Sequence, residues 1–209
     1  MEFEIPIDFS PSKIVCVGRN YAEHAAELGN EVPKEPLLFL KAPSALIRHD
    51  HAIRIPSQSS QVEHEGELAV VIGAACKDIG DDLDPFQFVE GYTCINDVTA
   101  RDIQRKDVQF TRGKSFDTFC PIGPVVVSDL DVSDIRVTCS VNGETKQDGR
   151  TSQMVFPVDF LIRYISRQMT LNPGDIIATG TPSGVSRLDR GDVCEVTIEG
   201  IGTLRNPVV

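Results

Sequence analysis

Residues 62–72 read VEHEGELAVVI, and no other stretch says as much about how this chain folds. The apolar run after Glu67 predicts a strand that enters a core. Because alternate strand residues point to the same side, Glu65 and Glu67 should project together from one face. Carboxylates are seldom buried without a compensating charge, so this pair favours a hard divalent cation, Mg²⁺ or Mn²⁺. The competing interpretation is a solvent-facing strand edge, which is the commoner one for an arbitrary Glu-x-Glu.

Short apolar runs of β type dominate the rest of the chain. Turn residues separate them, including Asn142-Gly143, which favours a tight hairpin because both central positions need positive φ. Helical patterns are few: one after Asn20, which is placed to cap it, one over 100–108 and one over 158–169. This pattern predicts a mainly β roll or sandwich with a few short helices (α+β), not a doubly wound sheet. The predicted strands are Ile14–Val17, Leu37–Leu40, Leu68–Ile72, Tyr92–Ile95, Pro124–Val127, Ile135–Val141, Ile176–Ala178 and Val193–Ile198.

Length and composition predict a single globular domain. The chain has 209 residues, of which 41% are hydrophobic, and no repeat or linker-like break interrupts it. The net charge of −11 argues against a nucleic-acid surface and against docking on anionic membranes, but not against an anionic substrate beside a cation. The six cysteines are scattered without a Cys-x-x-Cys pair, and neither a signal peptide nor a membrane-length apolar run is present. We therefore expect a reduced, cytoplasmic protein.

His24 and Glu27 lie three residues apart on the first predicted helix and therefore share a face. A carboxylate bound to one imidazole nitrogen fixes the tautomer and makes the other nitrogen a better base, as in a general base that activates water. Taken alone, such a pair is more often a surface contact. Asp97 follows the apolar run Tyr92–Ile95, where it is placed either to aim a carboxylate into a site or to cap the next helix.

A third set of residues offers positive charge and hydrogen-bond donors to an anion. Its side chains are Arg19, Gln104 and Lys114. The turn TGTPSG at 179–184 adds backbone N–H groups and the hydroxyl of Thr181. A glycine-rich turn of this kind is weak evidence by itself.

Taken together, these stretches resemble the fumarylacetoacetate hydrolase family. Six blocks follow one another in the family's order, which makes the resemblance specific over nearly the whole chain. The blocks are GRNYAEHAAE (18–27), FLKAPS (39–44), EGELA (65–69), NDVTARDIQ (96–104), KSFD (114–117) and GTPSGV (180–185). The resemblance implies a mixed β-sandwich roll formed by one catalytic domain over 1–209, with its core at about 13–209 and no separate N-terminal domain.

The resemblance also implies a role for each matching acid. Glu65, Glu67 and Asp97 would bind one Mg²⁺ or Mn²⁺. His24 and Glu27 would form the dyad that activates water.

The remaining matches imply how a substrate is held. Lys114 would stabilise or protonate developing negative charge, and Arg19, Gln104 and Thr181 would line the substrate pocket. His64 should face away from the metal, because it is the strand neighbour of Glu65.

The implied substrate is a small anionic keto acid, and the implied assembly is a homodimer. The segment CVGRN (16–20) has no acidic residue where the longer enzymes of the family place a further acidic metal ligand, and this short chain is therefore similar to the acylpyruvate hydrolases of the family. These enzymes cleave the C–C bond of 2,4-diketo acids, such as acetylpyruvate or fumarylpyruvate, through a metal-bound pyruvate enolate. Oxaloacetate decarboxylation, oxaloacetate keto–enol tautomerisation and isomerisation of an unsaturated keto-dicarboxylate remain alternatives. A non-enzymatic protein whose acids only clamp the fold around a cation is disfavoured by the His24/Glu27 pair.

Overall fold

The computed structural model describes residues 10–209 and the backbone of a short strand at Glu2–Glu4. Within these residues none of the helices is long and apolar enough to cross a membrane. The helices are α1 (Ala22–Glu27), α2 (Arg101–Lys106), α3 (Thr111–Lys114) and α4 (Val158–Gln168). The strands are β1 (Glu2–Glu4), β2 (Ile14–Gly18), β3 (Leu37–Lys41), β4 (Leu46–Arg48), β5 (Val62–Glu63), β6 (Gly66–Ile72), β7 (Val89–Asn96), β8 (Thr99–Ala100), β9 (Cys120–Val127), β10 (Arg136–Val141), β11 (Glu144–Arg150), β12 (Ile176–Ala178), β13 (Val193–Ile198) and β14 (Gly202–Pro207).

The larger sheet has the strand order β1-β9-β7-β6-β12-β2-β3, with β4 beside β9. Strand β6 lies in its centre, antiparallel to both β7 and β12. All of its residues are buried. A strand covered on both faces has no solvent side, which explains why an unbroken apolar run follows Glu67.

The smaller sheet, in the order β11-β10-β13-β14, packs against the larger one at Gly66. A Cβ on Gly66 would lie 3.1 Å from Cys139 Cβ and 3.2 Å from Val196 Cγ1. Glycine therefore allows the two sheets to approach at this point. Because side chains alternate along a strand, Glu65 and Glu67 point away from this contact.

The mainly β architecture confirms the predicted fold class. Strands β12 and β13 have the predicted bounds, and the β10–β11 hairpin turns at Asn142 and Gly143 with φ of 53° and 79°. Strands β11 and β14 were not predicted. They lie at the two edges of the smaller sheet, where solvent-facing polar residues dilute the apolar pattern.

The predicted cap of α1 is wrong. Tyr21 occupies the cap position, and the Asn20 side chain is buried. The Asn20 amide donates to the carbonyl oxygens of Phe156 and Thr179, and its own oxygen accepts from the Phe156 N–H. Asn20 thus ties the start of the helix that carries His24 to the turn that follows β12.

Candidate metal and substrate site

Three buried carboxylates converge where β6 begins and β7 ends. Gly66 pairs with Asn96 in the antiparallel register, so Glu65, Glu67 and Asp97 meet at one end of these two strands. One carboxylate oxygen of each residue lies within 4.8 Å of the others. The Asp97 N–H donates to the Glu65 carbonyl oxygen at 2.8 Å, which fixes the spacing of the two residues. The alternative role of Asp97 as a helix cap is wrong, because Ala100 holds the cap position of α2.

Two of the three acids are neutralised by buried bases. Lys114 Nζ donates to Glu65 Oε2 and to Asp97 Oδ2, both at 2.7 Å, and Lys41 Nζ donates to Asp97 Oδ1 at 2.6 Å. Arg101 donates to Glu65 Oε1 at 2.5 Å. Burial by itself would raise the pKa of Glu65, but the charges of Lys114 and Arg101 outweigh it and lower the pKa.

Glu67 is the acid that lacks such compensation. Burial, and then the charges of Asp97 and Glu65, raise its pKa well above the ordinary value. The Gly180 N–H donates to Glu67 Oε2 at 2.8 Å. A cation among the three oxygens would compensate this charge, and three carboxylates are the donor set that Mg²⁺ or Mn²⁺ prefers. The residues therefore fit the expected metal.

Arg101 and Lys41 were not among the predicted site residues. The Arg101 side chain is buried and also donates to Glu63 Oε2 at 2.7 Å and to Gln104 Oε1 at 2.6 Å. Glu63 thus lies behind the three converging carboxylates as the partner of Arg101. Both missed bases stand inside the quoted sequence blocks, and Lys41 directly follows the apolar run Leu37–Leu40, where a lysine needs a buried partner.

His24 and Glu27 form the predicted pair. His24 is buried, and its Nδ1 lies 3.2 Å from Glu27 Oε2. The Gly184 N–H donates to both oxygens of Glu27, at 3.0 and 3.2 Å. Gly184 has φ of +97°, and an added Cβ would lie 2.0 Å from the Lys146 carbonyl oxygen, so glycine is required there. The turn after β12 thus fixes the Glu27 carboxylate, which in turn orients the His24 imidazole.

A cavity of about 370 Å³ joins these groups. Eight of the nine predicted site residues line it, and the ninth, Glu27, contacts His24. Arg19 lines it with φ of 58°, a strained conformation for a residue other than glycine. Gln104 uses its carbonyl oxygen on Arg101, which leaves its amide N–H groups for a substrate.

Thr181 lines the cavity, but its hydroxyl is already used by the fold. It donates to the Gly66 carbonyl oxygen at 2.8 Å and accepts from Gln147 Nε2 at 2.7 Å. Gln147 is buried and was missed by the sequence analysis, because it stands in the polar strand β11 without a distinguishing pattern. Its oxygen accepts from the Gly66 N–H and lies 3.0 Å from His64 Nδ1. His64 therefore faces away from the carboxylates, as predicted.

The sequence matches the family described as fumarylacetoacetate (FAA) hydrolase C-terminal over residues 13–209. A mitochondrial oxaloacetate decarboxylase from Dictyostelium discoideum is 48% identical to this chain, and the alignment covers 91% of this chain and 90% of the decarboxylase. A 5-carboxymethyl-2-hydroxymuconate delta-isomerase from Mycobacterium smegmatis superimposes with a TM-score of 0.91 at 48% identity, over 99% of this chain and 82% of the isomerase.

A more distant relative was solved with ligands. A fumarylpyruvate hydrolase from Pseudomonas aeruginosa, in complex with Mn²⁺ and pyruvate, superimposes with a TM-score of 0.90 at 32% identity, over 100% of this chain and 95% of the hydrolase. The chain described here belongs to the fumarylacetoacetate hydrolase family. Members of this family with hydrolase, isomerase and decarboxylase activities share its fold.

Proposed function

We propose that this protein is a divalent-metal-dependent hydrolase that cleaves the C–C bond of acylpyruvates, R–CO–CH₂–CO–COO⁻. The observation that carries the proposal is the His24/Glu27 pair beside the carboxylate cluster. A buried imidazole with an oriented partner is what activation of water requires, whereas a structural cation site needs no such pair. The fumarylpyruvate hydrolase that superimposes on this chain supports the same class of substrate.

The metal site would be formed by Glu65, Glu67 and Asp97. A bound Mg²⁺ or Mn²⁺ supplies Lewis acidity to the 2-oxo acid end of the substrate. Arg19 lines the same cavity without an ion pair among the described residues, and it would bind the substrate carboxylate. Arg19 would thereby hold the keto acid end toward the carboxylate cluster and leave the distal carbonyl near His24.

His24 would act as the general base. Glu27 accepts from the Nδ1–H, so the Nε2 lone pair is free to take a proton from water. The water oxygen attacks the distal carbonyl carbon, the bond between that carbon and the CH₂ group breaks, and its electron pair moves onto the pyruvate fragment. The imidazolium returns the proton to this fragment, which gives pyruvate and the carboxylic acid R–COOH.

Lys114 would stabilise the negative charge that develops on the pyruvate fragment. Burial by itself would lower the pKa of Lys114, but Asp97 and Glu65 outweigh it and raise the pKa. The ion pairs with both carboxylates favour the cationic form of the side chain. This favours an electrostatic role over a role as base.

Turnover of acetylpyruvate beside oxaloacetate, with Mg²⁺ and with EDTA, tests the proposal. Release of acetate and pyruvate from acetylpyruvate, abolished by EDTA, is the expected result. Glu27→Gln should reduce this hydrolysis at least about 100-fold, because the base loses its orienting carboxylate. Metal affinity, measured by calorimetry, should stay unchanged, and the matched control Glu23→Gln on the same helix should keep full activity. Unchanged hydrolysis in Glu27→Gln would refute the assigned role of the dyad.

Oxaloacetate decarboxylation is the second candidate, and the 48% identical decarboxylase favours it. This reaction also forms the pyruvate enolate, but no water attacks a carbonyl. Glu27→Gln should therefore leave most of an oxaloacetate activity in place. Release of CO₂ from oxaloacetate, without any hydrolysis of acetylpyruvate, would favour this candidate over the first.

A further inference from the structure

The basic side chains that line the substrate cavity fall into two kinds. Arg101 and Lys114 are held by buried acids, so their charges are already balanced. Arg19 and Arg105 line the same cavity and form no ion pair among the described residues. An anion that enters the cavity therefore meets two guanidinium groups that lack a carboxylate partner.

Arg105 is exposed at the mouth of the cavity, one helical turn after Arg101 on α2. Its Nη1 donates to the neutral side-chain oxygen of Gln61 at 3.3 Å. The two acids closest in sequence are already engaged. Asp102 accepts from the hydroxyl groups of Ser59 and Ser60.

Asp107, the other nearby acid, also lines the cavity. Arg112 holds it through two hydrogen bonds of 2.6 Å, in the fork-to-carboxylate geometry that makes such pairs strong. Asp107 therefore pairs with Arg112 and forms no ion pair with Arg105 in the described structure. The guanidinium group of Arg105 remains available to an anion from outside.

The charges around the cavity match a dianion. With a divalent cation bound, the lining side chains and the cation together carry two more positive charges than negative ones. The acids are Glu65, Glu67, Asp97 and Asp107, and the bases are Arg19, Arg101, Arg105 and Lys114. A volume of about 370 Å³ also leaves room for an acyl group longer than acetyl.

We infer that Arg105 determines the specificity of this site for the acyl group, by binding a second carboxylate at the far end of a dicarboxylate substrate. The inference rests on the proposed function in taking a 2-oxo acid as the substrate. Arg19 binds the carboxylate of the pyruvate end, and Arg105 binds the far carboxylate at the mouth. Arg105 is a specificity residue and takes no part in bond cleavage.

Two pairs of compounds that differ in one terminal group test this inference. 2,4-Dioxoheptanedioate and 2,4-dioxoheptanoate share one carbon chain and end in a carboxylate or a methyl group, so their kcat/KM ratio measures selection by charge. 2-Oxoheptanedioate and 2-oxoheptanoate lack the carbonyl that is attacked, and their affinities for the Mg²⁺-loaded protein are measured by calorimetry. The variants are Arg105→Gln and, as the matched control, Lys106→Gln, an exposed neighbour that does not line the cavity.

The wild type should prefer each dicarboxylate by about tenfold, the size expected for one charge-assisted pair. Arg105→Gln should remove this preference, mainly by raising KM for the dicarboxylate, and should leave the monocarboxylates unaffected. Lys106→Gln should behave as the wild type. Equal affinity of the wild type for both members of a pair, or a preference that survives Arg105→Gln, would overturn the inference.

The two sets of compounds also separate this inference from the proposed function. A binding preference that depends on Arg105, without hydrolysis of either dioxo acid, would refute the proposed hydrolase activity and support selection by Arg105. Hydrolysis of both dioxo acids without any preference would support the hydrolase activity and refute selection by Arg105. Binding of none of the four compounds would refute both.

Discussion

Two cavities of this molecule differ in size and in the environment of their charges. The larger one, about 1120 Å³, lies between the turn Pro85–Phe88, the loop after β9 and the start of α4. Four exposed aspartates, at positions 84, 129, 131 and 159, line it, and no basic residue of the described part of the chain does. The smaller cavity, about 370 Å³, has buried acids and bases that converge on one point. Convergence of buried charges, not volume, therefore marks the candidate site.

Glu67→Gln tests the smaller cavity most severely. The variant replaces the uncompensated carboxylate by a neutral amide, so metal affinity should fall more than about 100-fold and turnover should be abolished. Calorimetric titration with Mn²⁺ and the acetylpyruvate assay measure the two effects. Glu90→Gln, an exposed position on β7, is the control and should change neither. A Glu67→Gln protein that binds Mn²⁺ as the wild type does would contradict the assigned ligand set.

Arg101→Met tests the cost of leaving buried acids without their base. Glu63 and Glu65 would lose a shared partner in the interior, and we expect a loss of about 3–5 kcal/mol in the free energy of unfolding. Urea denaturation measures it. The control is Arg136→Met, which removes the pair that Arg136 forms with Asp148 on the surface, and it should cost at most about 1 kcal/mol. Similar losses in both variants would contradict the distinction between buried and solvated charge.

Gln147→Leu tests the polar groups behind the carboxylates. The variant removes the oxygen that the Gly66 N–H donates to and that lies beside His64 Nδ1, so we expect a loss of about 1–3 kcal/mol in the free energy of unfolding. Urea denaturation again provides the measurement. Gln87→Leu, in the lining of the larger cavity, should stay within about 0.5 kcal/mol, because Gln87 is exposed. A larger loss for Gln87→Leu than for Gln147→Leu would contradict the conclusion that the buried polar groups beside the smaller cavity contribute more to stability.

Tyr92→Phe should have the smallest effect. Burial, followed by the charges of Asp84 and Asp131, raises the pKa of Tyr92 to about 12, so its hydroxyl stays protonated throughout an ordinary assay range. The variant should therefore keep the wild-type kcat/KM and the wild-type pH profile between pH 6 and about pH 9. A change of either would show that the larger cavity is coupled to the site.

Sequence patterns predicted well the parts of the molecule that depend on neighbouring residues. The alternation around Gly66 placed Glu65 and Glu67 on one face, and the spacing of three placed His24 beside Glu27. These relations are set by the geometry of a single strand or a single helix. The fold class followed from the same local patterns.

The missed residues depend on contacts between distant parts of the chain. Lys41 meets Asp97 across 56 residues, and Gln147 meets His64 across 83 residues. Neither pairing leaves a periodic signal, because strand order in the sheet decides which side chains meet. The misplaced cap at Asn20 has the same cause, since long-range partners at Phe156 and Thr179 claim its side chain.

The contact at Gly66 has a consequence for how the metal preference of this site changes during evolution. Cys139 and Val196 of the smaller sheet leave no room for a side chain at Gly66, which lies between two of the proposed ligands. Asn96, which precedes the third proposed ligand, contacts Cys194 of the same sheet. Because packed interiors transmit added volume as displacement, one extra methylene at position 196 would alter the spacing of the carboxylate oxygens. Selection for a different ion can therefore act through apolar residues of the smaller sheet, on the far side of β6 from the cavity.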